Sequence, residues 1–371
     1  MVKTVSALIV ILVCFAAALS AAWMMEKTGT DDAVHEGLPA VTPTSTGIAA
    51  EPKYSPSPPV TPGCMITITQ TDGSTATVPC NPRRIIVANA NAAEMVIALG
   101  AGDRIVGVTD STISIPYLFD KIPHAEDIGN WQTPDVEKII SLHPDLVISY
   151  SSYKPKNLDM FVRSNITIIY LDCYRLSTLA SDARALGKLT GRLNAAETYA
   201  RMVEDTIETV RSRVKKIPEE AYPDVYFESY TEYTAAAKGS GSDEMLALAG
   251  GKNIAGDISA YSAKVSTEWV VSRQPDYVLK VVASTNTQPF PAIADSLKSR
   301  QGWSGIPAVK ENRIYILSNE LQYGPRAYIG LVWIAQLLHP AEFRDLHPRT
   351  MLIDYNNRYV SGTNTTTVIY P

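Results

Sequence analysis

The chain has 371 residues, long for one hydrophobic core and sufficient for two lobes of ordinary domain size. Its composition, 46% hydrophobic and 19% charged, is that of a globular protein, and the formal charge of −5 argues against nucleic acid as a partner.

At the N-terminus Lys3 precedes an almost unbroken apolar run from Val5 to Trp23. Residues 1–25 read either as a signal peptide, with Ser20 and Ala22 as the small residues of a cleavage site, or as a short uncleaved membrane anchor. Both readings put the rest of the chain outside the cytoplasm, at the cell surface. Cys14 lies inside the run with apolar residues continuing after it, which does not suit a lipid-modified cysteine at a cleavage site. Residues 26–62, with TPTSTG and YSPSPPVTP, have no hydrophobic periodicity and read as an extended stalk. Sequons at Asn165 and Asn364 are compatible with surface exposure.

The folded part opens with MITITQTDGSTATVP, two alternating strands around the turn dipeptide Asp72-Gly73, bracketed by Cys64 and Cys80. Pairing about that dipeptide puts the sulfurs nearly opposite, one register step out, which a bulge absorbs. A disulfide is expected, contributing about 3 kcal/mol for a loop of about 15 residues. Cys173 has no evident partner and reads as a buried hydrophobe.

Next, RRIIVAN reads as a buried strand, AAEMVIALG as a helix closed by Gly100, and RIVGVTD as a second strand, a βαβ opening that predicts a parallel sheet. A loop with Tyr117, His124 and Trp131 leads into EKIISLHPDLVIS, whose helix is expected to be capped by Thr133, with Pro134 at its first position and Pro144 stopping it before LVISY. ITIIYLD completes a first lobe over 63–193. NAAETYARMVEDTIETVRSRVKKI then has the period of a long helix capped by Asn194, a rigid connector over 194–217. The second lobe, 218–347, repeats the logic: DVYFESY, the segment KGSGSDEMLALAGGKNIAGD, the strands YVLKVVAS and RIYILS, and a closing helix in QYGPRAYIGLVWIAQLLHP. Residues 348–371 form a C-terminal tail. The fold class is therefore α/β, two Rossmann-like lobes joined by a long rigid helix, with the ligand cleft between them.

Chemistry-bearing motifs are few. No G-x-S-x-G, H-E-x-x-H or G-x-x-x-x-G-K-[ST] occurs, no histidine pair has metal-ligand spacing, and KGSGSDE reads as a turn and helix entry. No catalytic residue, resident metal or cofactor is assigned. The tyrosines carry more: 19 Tyr stand against 6 Phe, and many follow predicted strands. Tyr150, Tyr153, Tyr174 and Arg175 of the first lobe, with Tyr230 and Tyr233 of the second, are placed at the cleft. Such rings offer apolar faces and hydroxyls to a large ligand, and a phenolate is a ligand for ferric iron. Asn89, Asn91, Tyr117, Trp131, Tyr261 and Tyr323 complete the expected wall, with Lys238 and Arg326 as further cations facing an anionic ligand.

One phrase is written twice. EWVVSRQPDYVLK repeats EKIISLHPDLVIS with the same offset at both landmarks, Glu137 to Glu268 and Asp145 to Asp276, each 131 residues. Together with RRIIVANANAAEMVIALGAGDRIVGV and GSGSDEMLALAGGKNIA, in this order and spacing, the phrases resemble the substrate-binding proteins of ATP-binding-cassette importers, the class with a helical backbone that serves iron–siderophore, haem and cobalamin uptake. The resemblance covers about Met65 to Leu346. It implies a non-enzymatic, monomeric binding protein that hands a metal chelate, a ferric siderophore first, to a permease dimer with its ATPase subunits. A corrinoid or haem binder and, in another class, a metal chelatase-like enzyme are the alternatives. It further implies that Glu137 and Glu268 dock on the two permease subunits. Both sit in a helix's first turn, where the N-terminal dipole favours a carboxylate. Pro144-Asp145 and Pro275-Asp276 are expected to end the helix and to make local turn hydrogen bonds.

Overall fold

A computed structural model of the chain describes residues 63–360 and 369–371, all inside one compact unit, Pro56–Pro371. The N-terminal apolar run, the stalk and the sequon at Asn364 lie outside the described residues. Among the described residues no helix is long and apolar enough to cross a membrane.

Strands β1 (Met65–Thr69) and β2 (Thr75–Pro79) form the expected antiparallel hairpin. Its register pairs Met65 with Pro79, so the turn centres on Asp72 rather than between Asp72 and Gly73. Cys64 and Cys80 thus stand directly opposite, Cα atoms 5.6 Å apart, and form the disulfide without a bulge. Asp72 Oδ1 accepts from Ser74 N and Oγ, an Asx turn that lengthens the loop to five residues.

The first lobe is a parallel sheet of β3 (Ile85–Val87), β4 (Ile105–Val108), β5 (Glu126–Asp127), β6 (Leu146–Ser149) and β7 (Ile168–Tyr170), in the order β5-β4-β3-β6-β7. Strand order reverses between β3 and β6, the point at which doubly wound sheets open a crevice at their carboxyl ends. Helix α1 (Ala90–Ala98) follows β3, and α2 (Val136–Ser141) precedes β6. The latter begins at Asp135, whose side chain accepts from Lys138 N, and not at Thr133 as its Pro134 suggested. The carboxylate of Asp135 is the stronger acceptor for the free N–H groups of the first turn.

Helix α3 (Leu176–Thr190) ends at Gly191 and turns into α4 (Leu193–Val214), the connector, whose 22 residues span about 33 Å. It starts at Leu193 without a side-chain cap, and Asn194 lies inside it. A Cβ on Gly187 would sit 2.2 Å from Ala196 Cβ, so the close crossing of α3 and α4 requires glycine there. The connector is no free hinge. Tyr199 on it donates to Pro325 O at 2.5 Å and packs edge-on against Tyr328 and Tyr359.

In the second lobe β8 (Asp224–Glu228), β12 (Tyr277–Val282) and β13 (Ile314–Ser318) pair in parallel as the core of a seven-stranded sheet. Beside them run β9 (Thr234–Ala236), β10 (Lys252–Asn253), β11 (Ser262–Lys264) and β14 (Ile369–Tyr370). The last of these comes from the C-terminal tail and pairs antiparallel with β13, so the sheet of this lobe extends past 347. Helices α5 (Gly241–Ala249), α6 (Thr267–Ser272), α7 (Phe290–Lys298), α8 (Ala327–Leu338) and α9 (Pro348–Tyr355) complete it. The GSGSDE segment is a helix entry, with Ser240 accepting from Asp243 N. Both faces of β6 and β12 are buried, as parallel strands covered on both sides require.

The doubled phrase builds the same junction twice. His143 and Gln274, each just before proline, take positive φ of 45° and 43° and turn the chain from helix to strand. Asp145 and Asp276 then reach across the sheet, which local turn bonding did not anticipate. Asp145 Oδ2 accepts from Arg83 N and Arg84 N at the entry of β3, and Asp276 Oδ2 from Asp224 N at the start of β8.

Candidate functional site

A cavity of about 680 Å³ lies between the lobes, lined by the segments that leave the carboxyl ends of both sheets. From the first lobe come Asn91 after β3, Trp131 after β5, Tyr150 and Tyr153 after β6, and Tyr174 and Arg175 after β7. The second lobe supplies Tyr230 after β8, Tyr261 before β11, Ser284 and Thr285 after β12, and Asn319, Glu320 and Tyr323 after β13. Tyr117 also lines it.

Trp131 meets Tyr150 and Tyr153 edge-on at 5.6 and 5.8 Å between centroids. The chain of rings continues from Tyr150 to Tyr174 at 6.3 Å and from Tyr174 to Tyr323 of the other lobe at 5.8 Å. Edge-to-face geometry at this spacing locks rings while leaving faces free for a ligand. Arg175 stacks over Tyr174 and Tyr261 and donates to Gly239 O across the cleft. A Cβ on Gly241 would come within 2.9 Å of Tyr323 Cε1, so glycine at the start of α5 makes room for that ring.

Buried carboxylates hold these loops. Asp172 accepts from Ser151 N and Ser152 Oγ, both at 2.6 Å, and Tyr174 Oη donates to Ser152 Oγ at 3.1 Å. Cys173, free and buried, has a φ of 54° that swings Tyr174 towards the cleft; Asp182 accepts from its N–H at 2.9 Å. Burial pushes the Asp182 carboxyl up to about 6. In the second lobe Lys280 donates to Ser229 O and Tyr230 O at 2.5 and 3.0 Å, its charge matched by Glu228, which also pairs with Arg300.

The cavity floor is ionic. Arg326 grips Glu94 of α1 with Nε to Oε1 at 2.9 Å and Nη2 to Oε2 at 3.0 Å, and its Nη1 reaches Glu320 Oε2 at 3.2 Å. Tyr117 donates to Glu320 Oε2 at 3.1 Å, Tyr355 of the tail donates to Glu94 Oε1 at 2.9 Å, and Arg326 Nη2 also touches Tyr117 Oη. This network joins the first lobe, the second lobe and the tail in one buried cluster.

Four residues expected at the cleft do not line the cavity. Asn89 is buried as the cap of α1, accepting from Ala92 N and donating to Leu171 O, because its short amide is consumed by the helix start. Tyr233 turns to the far side of its lobe, under Arg300 and against Trp303. Lys238 is exposed outside the cavity, and Arg326 lies behind the floor, neutralised by protein carboxylates. Sequence reasoning missed Glu94 and Glu320. The signal for Glu94 was there: a lone acid inside the apolar helix ANAAEMVIA.

Burial pushes the phenols of Tyr150, Tyr153, Tyr230 and Tyr323 upward. With the proton on, each is a neutral hydrogen-bonding group facing the cavity. Among the described residues no group of three or more His, Cys, Asp or Glu is arranged to hold a metal ion. Glu137 and Glu268 both stand exposed in the first turns of α2 and α6. The Glu268 carboxyl is held below its usual value by its own N–H and by Ser266.

A family model described as periplasmic binding protein matches residues 85–321. The chain is 26% identical over 317 residues to the uncharacterized ABC transporter substrate-binding lipoprotein YvrC of Bacillus subtilis, covering 83% of this chain and 96% of that protein. It is 28% identical over 207 residues to a vitamin B12-binding protein of Yersinia pestis, covering 55% of this chain and 71% of that one. Among solved structures, the periplasmic haem-binding protein RhuT from Roseiflexus sp. RS-1 superimposes with a TM-score of 0.58 at 26% identity, over 70% of this chain and 99% of that one. The molybdate periplasmic binding protein MolA of Haemophilus influenzae, at 18% identity, shares the fold with a TM-score of 0.68, over 81% and 99% of the two chains.

Proposed function

The chain belongs to the periplasmic binding protein family, and we propose that, as the extracytoplasmic substrate-binding component of an ABC importer, it captures a preassembled metal chelate of near-neutral charge, a ferric siderophore first. The observation that carries this reading is the cavity walled by tyrosine and tryptophan rings from both lobes. Neutral phenols and hydroxyls suit the organic shell of a chelate whose metal is already fully coordinated. The charges around it balance: Glu94 and Glu320 against Arg175 in the wall and Arg326 behind it. A corrinoid is the second reading, supported by the alignment with the vitamin B12-binding protein, since an amide-fringed macrocycle suits the same rings. Haem suits the site less well: its two carboxylates would find one lining cation, Arg175.

In this reading lobes 63–193 and 218–347 close on the chelate about the helix 194–217, with modest motion because Tyr199 ties the connector to α8 and the tail. Glu137 and Glu268 dock on the permease dimer, and the N-terminal segment tethers the monomer or is cleaved on export.

Thermal unfolding and tryptophan fluorescence of the purified protein, titrated with a ferric trihydroxamate, cyanocobalamin and haemin, test the cargo. The expected result is saturable 1:1 quenching by the ferric chelate and stabilisation by about 2.7 kcal/mol at a hundred times Kd. Stabilisation by cyanocobalamin alone establishes the second reading, and by haemin alone refutes a near-neutral cargo.

A further inference from the structure

Beside the main cavity opens a smaller compartment of about 290 Å³, between the Ser114–Tyr117 stretch of the first lobe and Ser284, Thr285 and Asn286 of the second. Tyr117, Thr285 and Glu320 belong to the walls of both, so the two spaces are continuous. Besides Ile115 and Pro116, the side compartment is lined by hydroxyls, an amide and one carboxylate, and none of its lining residues is cationic.

The two acids of the floor differ in what they have left to offer. Both oxygens of Glu94 are engaged, Oε1 by Arg326 and Tyr355 and Oε2 by Arg326. At Glu320 the partners Arg326 and Tyr117 both fall on Oε2, which among the described residues leaves Oε1 for a ligand. Two carboxylates around one guanidinium give the floor a formal charge of 1 − 2 = −1. The balancing cation, Arg175, stacks on Tyr174 and Tyr261 and does not line the side compartment. The cleft is therefore polarised, negative at the side compartment and positive at Arg175.

From this we propose that the side compartment is a subsite for a cationic, hydrogen-bond-donating arm of the ligand, a protonated primary amine being the fitting chemistry, with its ammonium on Glu320 Oε1 and the Ser284 and Thr285 hydroxyls around it. A charge-assisted hydrogen bond to a carboxylate in a partly dehydrated site is among the stronger polar contacts, and an arm that cannot donate leaves the carboxylate unpaired. The inference rests on the chelate-binding reading and narrows the class of chelate.

The test is calorimetric titration of the full chain with a ferric linear trihydroxamate ending in a primary amine, and with the same chelate N-acetylated. Wild type is expected to bind the amine form about tenfold tighter, about 1.4 kcal/mol. In Glu320→Gln the ratio of the two Kd values falls to about one. Thr285→Phe, which fills the compartment without removing a member of the Arg326 network, gives the same collapse and decides the matter if Glu320→Gln fails to fold. Equal affinities in wild type, or a ratio kept in Thr285→Phe, overturn the subsite while the chelate reading stands. Binding of neither form overturns both.

Discussion

Replacing Arg326 by Met probes the ionic floor. Arg326, Glu94 and Glu320 are 3%, 5% and 9% exposed, so removing the guanidinium strands two buried carboxylates.

 Breaking a buried ion pair by removing one partner costs about 3–5 kcal/mol, because the remaining charge stays desolvated. With a urea m value of about 3 kcal/mol/M, this lowers the unfolding midpoint by about 1 M or more. Glu94→Gln alone should also destabilise, yet in the Arg326→Met background it should restore stability, since it removes one of the stranded charges. Urea denaturation of wild type, both single variants and the double variant measures this coupling. A loss below about 1 kcal/mol for Arg326→Met, or additive effects in the double variant, would refute the reasoning.

Two further outcomes are expected. The Asp182 carboxyl, raised by burial to about 6 against about 3.9 in an unfolded chain, contributes stability in its protonated form. That contribution is fully present below about pH 4 and is lost as the pH rises through 6, by about 3 kcal/mol in all, so Asp182→Asn should flatten the stability profile between these limits while wild type slopes downward. Glu137→Ala combined with Glu268→Ala should abolish uptake in reconstituted vesicles and leave chelate affinity as in wild type, and unchanged uptake would remove the docking role.

Elements whose information is local were legible in the sequence. The strand IIV, the helix ended by Gly191 and the doubled Pro-Asp junction each rest on periodicity or on turn chemistry. The cleft rings were legible for the same reason, since residues just after parallel strands fall at the carboxyl ends of the sheet. What escaped depended on contacts distant in sequence. Arg326 read as a ligand-facing cation because its partner Glu94 lies 232 residues away, and Tyr355 in the tail carried no periodic signal for its bond to the same acid. Tyr233 followed the rule for strand-end tyrosines and failed it because its ring is taken up by Arg300 and Trp303 on the other side.

The doubled phrase joins architecture to function. In each lobe the aspartate ties the strand after the phrase helix to the entry of the neighbouring strand, β3 or β8, and the phrase helix starts at a side-chain cap, Asp135 or Ser266. Each exposed glutamate is thus fixed to its own sheet, and so are the cavity rings that leave that sheet's carboxyl end. A ligand that draws the two sets of rings together must therefore also change the distance between Glu137 and Glu268. A pair of charges on separate rigid bodies reports the separation of those bodies, which one charge cannot do. If the pair is the docking contact, a permease with two fixed receptors distinguishes loaded from empty protein by that spacing alone.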